Sequence, residues 1–265
     1  MSHLKQTARQ GLVILPAVIL GARTLMSGGA APLLWGQQLA AWVIFGLLAW
    51  LLRNPARRLS PVLWAALLLI PLGATLLGPE AGGARRWLDL AVFNVNSALL
   101  VLPGLLAVLQ SVKKPHAFLL AGAAVLSLQP DAAQLAAFAM GALPLLWRCR
   151  REKLLSLLTL TAFGTLLLRS LNVPVTLQPD PYAEGVLALI GQKGWLFAAA
   201  GLGALTLVPG WFLYRFAKAK KPVYLSLGLY YGAAAAFALT GCEPAPFLGL
   251  GLSPIAGYWL ALLLK

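Results

Sequence analysis

The chain has 265 residues, of which 60% are hydrophobic and 11% are charged. Charged residues make up about 25% of an ordinary soluble domain, so this composition excludes a soluble protein and predicts an integral membrane protein. The formal net charge of +14 would suit a nucleic-acid partner, but the 21 Lys and Arg are spread over separate gaps between apolar runs. We therefore expect contact with the lipid bilayer and its anionic lipids, and no nucleic-acid binding.

Ten apolar runs follow one another, several of them near the shortest length that spans a bilayer. They cover residues 10–28, 34–52, 61–78, 92–111, 116–129, 132–147, 154–171, 185–213, 222–241 and 247–264. The fifth and sixth are separated only by Gln129-Pro130-Asp131, where a proline and a carboxylate favour a tight turn. The sequence predicts an all-α polytopic membrane protein, a single bundle of about ten transmembrane helices formed by residues 1–265.

Basic and acidic residues occupy alternate gaps between the apolar runs. Sixteen basic residues lie in the clusters Lys5/Arg9, Arg53/Arg57/Arg58, Lys113/Lys114, Arg148/Arg150/Arg151/Lys153, Arg215/Lys218/Lys220/Lys221 and Lys265. The intervening gaps hold six of the seven acids, which are Glu80, Asp89, Asp131, Asp180, Glu184 and Glu243. Positively charged loops stay in the cytoplasm during insertion, so we expect both termini to be cytoplasmic. Chemistry that needs a carboxylate is then extracytoplasmic.

Arg85 and Arg86 lie on the face where positive charge is disfavoured, and their position needs a reason. One interpretation is an anion site, because guanidinium groups bind phosphate in a bidentate manner better than lysine does. The alternative is that the two arginines pair with Glu80 and Asp89 and only fix the loop. Composition alone leaves both interpretations open.

Four short motifs occur in order in the gaps of the acidic face. They are Gly83-Ala84-Arg85-Arg86-Trp87, Leu128-Gln129-Pro130-Asp131, Pro179-Asp180-Pro181-Tyr182-Ala183-Glu184 and Pro244-Ala245-Pro246-Phe247-Leu248. Together with the number and orientation of the spans, they resemble the SEDS family, the FtsW/RodA-like proteins, over nearly the whole chain. Each motif alone is weak, whereas the ordered set is fairly specific.

The resemblance implies a lipid-linked glycosyltransferase. Such a protein polymerises lipid II, an undecaprenyl-diphosphate sugar, into peptidoglycan glycan strands at the periplasmic face, in cell division or cell-shape maintenance. The resemblance also implies a multi-pass protein of the bacterial inner (cytoplasmic) membrane, with a class B penicillin-binding protein as its partner. A divalent cation, Mg2+ or Mn2+, could assist, but no metal ligands or other cofactor are required by the sequence.

The resemblance also assigns the catalytic carboxylate. The family's catalytic acid falls at Glu184, and another acid of the same segment falls at Asp180. Either would take the proton from the acceptor hydroxyl as it attacks the donor sugar. The structural alternative for Glu184 is a place in the first turn of a helix, where the helix dipole stabilises an acid.

The remaining motif residues are expected around the same outward-facing cavity. Arg85 and Arg86 would stabilise the departing diphosphate. Asp131 would pair with one of these arginines and hold the cavity open, and Gln129 and Trp87 are assigned to the same structural group. The cavity should be partly apolar, because a polyprenyl chain must reach it from the bilayer.

The sequence departs from the family pattern at three places. Asn96-Ser97-Ala98-Leu99 stands where the family has Gln-Pro-Ser-Glu, residues 249–254 replace Ser-Tyr-Gly-Gly-Ser-Ser, and the loop of residues 170–184 is short. These departures support a second hypothesis, a catalytically degenerate scaffold that binds a penicillin-binding protein or another divisome partner. A third, a transporter of lipid-linked sugars, ranks last because few charges besides Arg23 and Arg169 fall within the apolar runs.

Overall fold

The computed structural model describes residues 2–90, 94–176, 179–241 and 243–265. The described chain is a bundle of α-helices with one small β-hairpin. The helices are α1 (Ser2–Ser27), α2 (Pro32–Leu51), α3 (Arg53–Ala56), α4 (Pro61–Ala74), α5 (Ser97–Leu109), α6 (His116–Leu128), α7 (Ala132–Arg148), α8 (Lys153–Asn172), α9 (Val186–Gly191), α10 (Trp195–Ala219), α11 (Pro222–Ala238) and α12 (Ser253–Leu264). A 3₁₀ turn, Thr75–Leu77, extends α4, and β1 (Trp87–Asp89) pairs antiparallel with β2 (Asn94–Asn96).

Proline and capping side chains fix where several helices begin. A proline occupies the first turn of four helices, where its missing N–H leaves no hydrogen bond unmade; these are Pro32, Pro61, Pro222 and Pro254. The side chains of Ser60, Asn96 and Asp131 accept backbone N–H groups at the starts of α4, α5 and α7. Local sequence thus defines these starts independently of packing.

Helices α1, α2, α8 and α10 are long and apolar enough to cross a membrane, on length and composition. Helices α4, α5, α6 and α12 are apolar but shorter. Within the described ranges, ten helices have 12 residues or more, and they alternate in direction along the chain. This confirms the predicted all-α polytopic membrane fold. We call the end that carries Glu80, Asp131 and Glu243 the acidic end, and the end that carries Arg53 and Lys221 the basic end.

Helix α5 lies at the centre of the bundle, with every residue except Leu100 buried. Helix α12 packs most closely on it: a Cβ at Gly257 would lie 2.1 Å from the backbone oxygen of Leu99, so only glycine allows the two backbones to approach this far. By contrast, few residues of α2 and α8 are buried, as expected of helices that face lipid. The bundle therefore has an apolar interior and an apolar perimeter.

The eighth predicted span, residues 185–213, is wrong as a single helix. It is divided into α9 and α10 by a turn in which Gly194 has φ +107°, a value that favours glycine. A Cβ at Gly201 of α10 would lie 3.1 Å from Ile190 of α9, so the short helix folds back onto the long one. The transmembrane helix begins at Trp195 and ends at Ala219.

Two further predicted boundaries are wrong. The fourth span, 92–111, starts as helix only at Ser97, because the residues before it form the β-hairpin; its predicted first residue lies outside the described residues. The tenth span, 247–264, starts as helix at Ser253, because Phe247 and Gly251 adopt positive φ values of 69° and 149° that no helix contains. Apolar composition alone does not reveal these turns.

Candidate functional site at the acidic end

Arg86 lies at the centre of a buried charge cluster. Its Nη1 donates to Glu243 Oε1 over 2.9 Å, and its Nη2 donates to the carbonyl oxygen of Pro130 over 3.0 Å. Its Nε lies 3.5 Å from Asp131 Oδ2. The side chains of Arg86, Glu243 and Asp131 are 11%, 5% and 0% exposed. The cluster therefore joins three loops in a place that water hardly reaches.

The loop that carries Arg86 is shaped by glycine. Gly82 and Gly83 have φ values of 54° and 85°, and a bridge between Ala81 and Ala84 closes the turn they make. The N–H of Thr176, beyond α8, donates to the carbonyl oxygen of Gly82 over 2.8 Å. Arg86 follows this turn directly and precedes β1, so its backbone is held on both sides.

Asp131 and Glu243 are held by hydrogen bonds from Gln134 of α7, which is itself held by Tyr230 of α11. Asp131 accepts the N–H of Gln134 over 3.1 Å as the N-cap of α7. The Gln134 side chain also hydrogen-bonds Glu243, and Tyr230 OH donates to Gln134 Oε1 over 2.9 Å. Polar side chains of two helices thus fix the position of both carboxylates.

One guanidinium in this cluster faces two carboxylates. Burial, followed by the charge of Asp131, raises the pKa of Glu243 to about 8, although Arg86 and the hydrogen bond with Gln134 act in the opposite direction. Burial acts to lower the pKa of Arg86, but Asp131 and Glu243 outweigh it and raise that pKa. At neutral pH, Arg86 is therefore charged and the carboxylate pair holds a proton.

The segment with the two predicted catalytic acids lies beside this cluster. Asp180 Oδ1 accepts the N–H groups of Tyr182 and Ala183, and Glu184 Oε2 accepts the N–H of Asp180 over 2.9 Å. Glu184 precedes α9 rather than opening a long helix. Its charge acts on both Arg86 and Glu243.

Two contacts clamp this segment to the bundle. Tyr182 OH donates to the carbonyl oxygen of Gly28 at the end of α1 over 2.7 Å, and the N–H of Leu250 donates to the carbonyl oxygen of Tyr182 over 2.6 Å. A Cβ at Gly249 would lie 2.6 Å from the carbonyl oxygen of Ala183, so the two loops touch through their backbones. Glu184 therefore sits on an ordered support.

Arg85 points away from the cluster. It forms an exposed ion pair with Glu80 at 3.0 Å and donates to the carbonyl oxygen of Leu76 over 3.0 Å. The predicted pairing of Arg85 with Glu80 is therefore present, while Arg86 pairs with Glu243 and Asp131. Both arginines belong to one loop, but only Arg86 is enclosed.

A cavity of about 410 Å³ opens at the acidic end beside Arg85. Its lining includes Glu80, Arg85 and Arg169, together with the apolar side chain of Leu128. Arg169, in the last turn of α8, donates from Nη1 to the backbone and hydroxyl oxygens of Ser127 over 2.8 and 3.0 Å. Pro130, whose carbonyl oxygen binds Arg86, also lines this cavity, so the cavity and the charge cluster adjoin.

Gln129 and Trp87 support this region from within. Gln129 is fully buried, and its Nε2 donates to the carbonyl oxygen of Leu72 over 2.9 Å and to the hydroxyl of Thr75, which joins α6 to α4. Trp87 is half-buried in β1 opposite Asn96. The hydrogen bonds of Gln129 and the strand pairing of Trp87 stabilise the fold around the site.

The structure thus joins Arg86 directly to Asp131, places Glu184 near enough for its charge to act on Arg86, and leaves Arg85 on the neighbouring cavity, whose lining includes neither Glu184 nor Asp180. Sequence reasoning missed Glu243 and Arg169 as site residues. Glu243 had a signal, since it is the acid directly before the Pro-Ala-Pro-Phe motif, and Arg169 is a charge near the end of an apolar run. Among the described residues, no group of three His, Cys, Asp or Glu could hold a metal ion, and the divalent cation stays a prediction.

The known proteins that resemble this chain were found by its structure and not by its sequence. No family profile matches the sequence, and no curated protein matches it. The structure matches a point mutant of the Thermus thermophilus rod-shape-determining protein RodA with a TM-score of 0.63 at 20% identity, over 96% of this chain and 95% of that one. Wild-type RodA gives 0.62 at 20% identity, over 96% and 94%.

A chain of a peptidoglycan synthase complex that coordinates polymerization and crosslinking also matches. Its TM-score is 0.59 at 21% identity, over 97% of this chain and 96% of that one. The protein is therefore a polytopic membrane protein whose fold is that of RodA along almost its whole length. The predicted SEDS-like architecture is confirmed as a fold.

Proposed function

We propose that the protein is a SEDS-type lipid-linked glycosyltransferase of a bacterial inner membrane. It polymerises an undecaprenyl-diphosphate sugar, lipid II, into peptidoglycan glycan strands at the acidic end, which faces the periplasm. The observation that carries the proposal is the RodA fold over 96% of the chain together with a carboxylate, Glu184, held beside the Arg86 cluster. A fold alone does not define an activity, so the residues of this site are needed to support the proposal.

Glu184 is the better candidate for the general base. Asp180 uses one carboxylate oxygen to accept two backbone N–H groups, which commits this side chain to fixing the turn. Glu184 accepts only one such bond in the described chain, and its carboxylate lies within reach of the charges of Arg86 and Glu243. In the proposed step Glu184 removes the proton of the acceptor hydroxyl while that oxygen attacks the anomeric carbon of the donor sugar and the diphosphate leaves.

The diphosphate is bound by Arg85 and Arg169 rather than by Arg86. Arg86 is enclosed, and its guanidinium already contacts two carboxylates and a carbonyl oxygen. A substrate phosphate would have to displace these groups. Arg85 and Arg169 line the open cavity next to it. Leu128 on the cavity wall and Leu77 on the adjoining turn are 53% and 93% exposed, which gives a polyprenyl chain an apolar approach.

A class B penicillin-binding protein is the proposed partner. A chain with the same fold belongs to a peptidoglycan synthase complex that coordinates polymerization with crosslinking. Glycan strands need crosslinking as soon as they form, and a bound partner would supply that second activity. Co-purification of the protein with such a partner from a common membrane would test this part of the proposal separately.

The second candidate is the inactive scaffold. The closed Arg86–Glu243 pair favours it, because the guanidinium is already paired with a buried carboxylate without a ligand. A polymerisation assay with purified protein and lipid II, with and without a class B penicillin-binding protein, distinguishes the two. The enzyme gives glycan strands in at least one condition, whereas the scaffold gives none in either and still co-purifies with the partner.

A further inference from the structure

A second polar pocket lies at the basic end, opposite the proposed catalytic site. It has a volume of about 40 Å³ and lies between α1, the end of α2 and the last turn of α12. Three cationic side chains line it, those of Arg53, Arg57 and Lys265. Most of the remaining lining is apolar and includes Leu262 and Trp259. The pocket therefore combines positive charge with an aliphatic and aromatic wall.

Positive charge accumulates around Lys265, and no acidic side chain of the described residues forms an ion pair with it. Burial, followed by the charges of Arg215, Arg53 and Lys221, lowers the pKa of Lys265 to about 7. Among the described residues, the acidic side chain at this end of the bundle, that of Glu152, contacts His116 at 3.6 Å. Within the described residues, no ion pair joins Arg57, Arg215, Lys221 or Lys265 to an acid.

Aromatic rings hold two of these cations in place. Lys265 Nζ lies 5.8 Å from the ring centre of Trp211 and 5.5 Å from that of Tyr224. Arg215 Cζ lies 6.0 and 5.4 Å from the same two rings. The rings offset part of the repulsion between the cations, but a ring face accepts no full hydrogen bond. The arrangement keeps two positive charges side by side.

Buried hydrogen-bond donors here lack acceptors. Trp259 is only 4% exposed, and its Nε1–H has no partner among the described residues. The same is true of Lys265 Nζ and Arg215 Nε. Unpaired buried donors are rare because each forfeits its hydrogen bonds to water. Trp259 and Lys265 both line the pocket, so an acceptor bound there would meet two donors that lack a partner in the described chain.

We propose that this pocket binds the phosphate group of an anionic phospholipid. A phosphodiester supplies the negative charge and several acceptor oxygens, and the guanidinium groups of Arg53 and Arg57 suit it. The adjoining surface of α2 is apolar and exposed at Leu48, Leu51 and Leu52, where acyl chains can lie. Basic pockets at helix ends on the cytoplasmic side of a membrane commonly bind such head groups. The site is separate from the proposed catalysis and does not depend on it.

Native mass spectrometry of the detergent-solubilised chain tests the proposal. Phosphatidylglycerol and phosphatidylcholine are titrated against wild type, Arg57→Gln, Lys265→Gln and Trp259→Phe, which removes the indole N–H donor together with one ring of the side chain. Phosphatidylglycerol should bind wild type selectively, and each charge substitution should weaken that binding about tenfold. Arg150→Gln, a basic-end arginine outside the pocket lining, is the matched control and should bind like wild type.

The unfolding temperature of each variant is measured in lipid-free detergent, and only variants that unfold at the temperature of wild type are compared. A loss of lipid binding then cannot be caused by misfolding. Equal binding of the two lipids would overturn the proposal, and so would equal weakening by Arg57→Gln and Arg150→Gln. Inorganic phosphate that binds as tightly as phosphatidylglycerol would overturn the assignment to a lipid. Selective phosphatidylglycerol binding that Trp259→Phe also weakens would support it.

Discussion

Arg86 donates a 2.9 Å hydrogen bond to Glu243 although 157 residues separate them in the chain. This ion pair fastens the loop before β1 to the loop between α11 and α12. Asp131, between α6 and α7, completes the contact from a third direction. The acidic end is thereby closed around one guanidinium.

Loss of Arg86 should strongly destabilise the protein. Arg86→Ala leaves two buried carboxylates without their cation, and breaking a buried ion pair in this way typically reduces stability by about 3–5 kcal/mol. Thermal unfolding in detergent measures the change. Arg85→Ala is the control in the adjacent position, since its ion pair with Glu80 is exposed and should contribute about 1 kcal/mol or less. Equal effects of the two substitutions would contradict the buried-cluster description.

Glu243 should make stability depend on pH. Its pKa is raised to about 8 in the folded protein, mainly by burial, against an ordinary value of 4.5. Between these two values the folded state binds a proton that the unfolded state lacks, so stability falls as pH rises, by up to about 1.4 kcal/mol per unit. Glu243→Gln should remove this fall and be the more stable form above pH 8. Unfolding temperatures measured across this pH range test the prediction, with Glu152→Gln as the control. If Glu243→Gln left the dependence of the unfolding temperature on pH unchanged, the assignment to Glu243 would be wrong.

The contact between α5 and α12 should tolerate no side chain at Gly257. Gly257→Ala places a Cβ 2.1 Å from the carbonyl oxygen of Leu99, so the helices must separate, and we expect a loss of at least about 1–3 kcal/mol. Gly203→Ala, in α10, meets nothing within 4 Å and should leave stability unchanged or slightly raised. Unfolding temperatures that fall equally in both variants would show that the close approach is not the cause.

Arg85 and Arg169 should affect substrate binding more than the chemical step. Arg85→Gln and Arg169→Gln each remove a cation from the cavity wall, and we expect KM for lipid II to rise about 10-fold to 100-fold while kcat changes less. Steady-state polymerisation kinetics measure both quantities. Arg23→Gln, an arginine of α1 outside the cavity lining, is the control. An unchanged KM in both cavity variants would remove the proposed diphosphate site.

The sequence predicted the helices and part of the site because both depend on local signals. Apolar runs define the spans, and Pro130-Asp131 between two of them defines a turn with a buried N-cap. Glu243 was not assigned because its partner comes from a distant loop, and loop-to-loop contacts leave no periodic pattern in the chain. The break at Gly194 was missed because only Gln192 and Lys193 interrupt the apolar run around it, and the run was interpreted as one helix.

The most direct test of the central claim is glycan-strand formation from lipid II by wild type and Glu184→Gln. This substitution keeps the shape of the side chain but removes proton acceptance, and loss of a general base typically lowers the rate about 10²–10⁴-fold. Asp180→Asn should retain more activity, and Glu152→Gln at the basic end should retain all of it. We expect wild type to form glycan strands and Glu184→Gln to be nearly inactive, while its unfolding temperature is unchanged. Full activity of Glu184→Gln would contradict it.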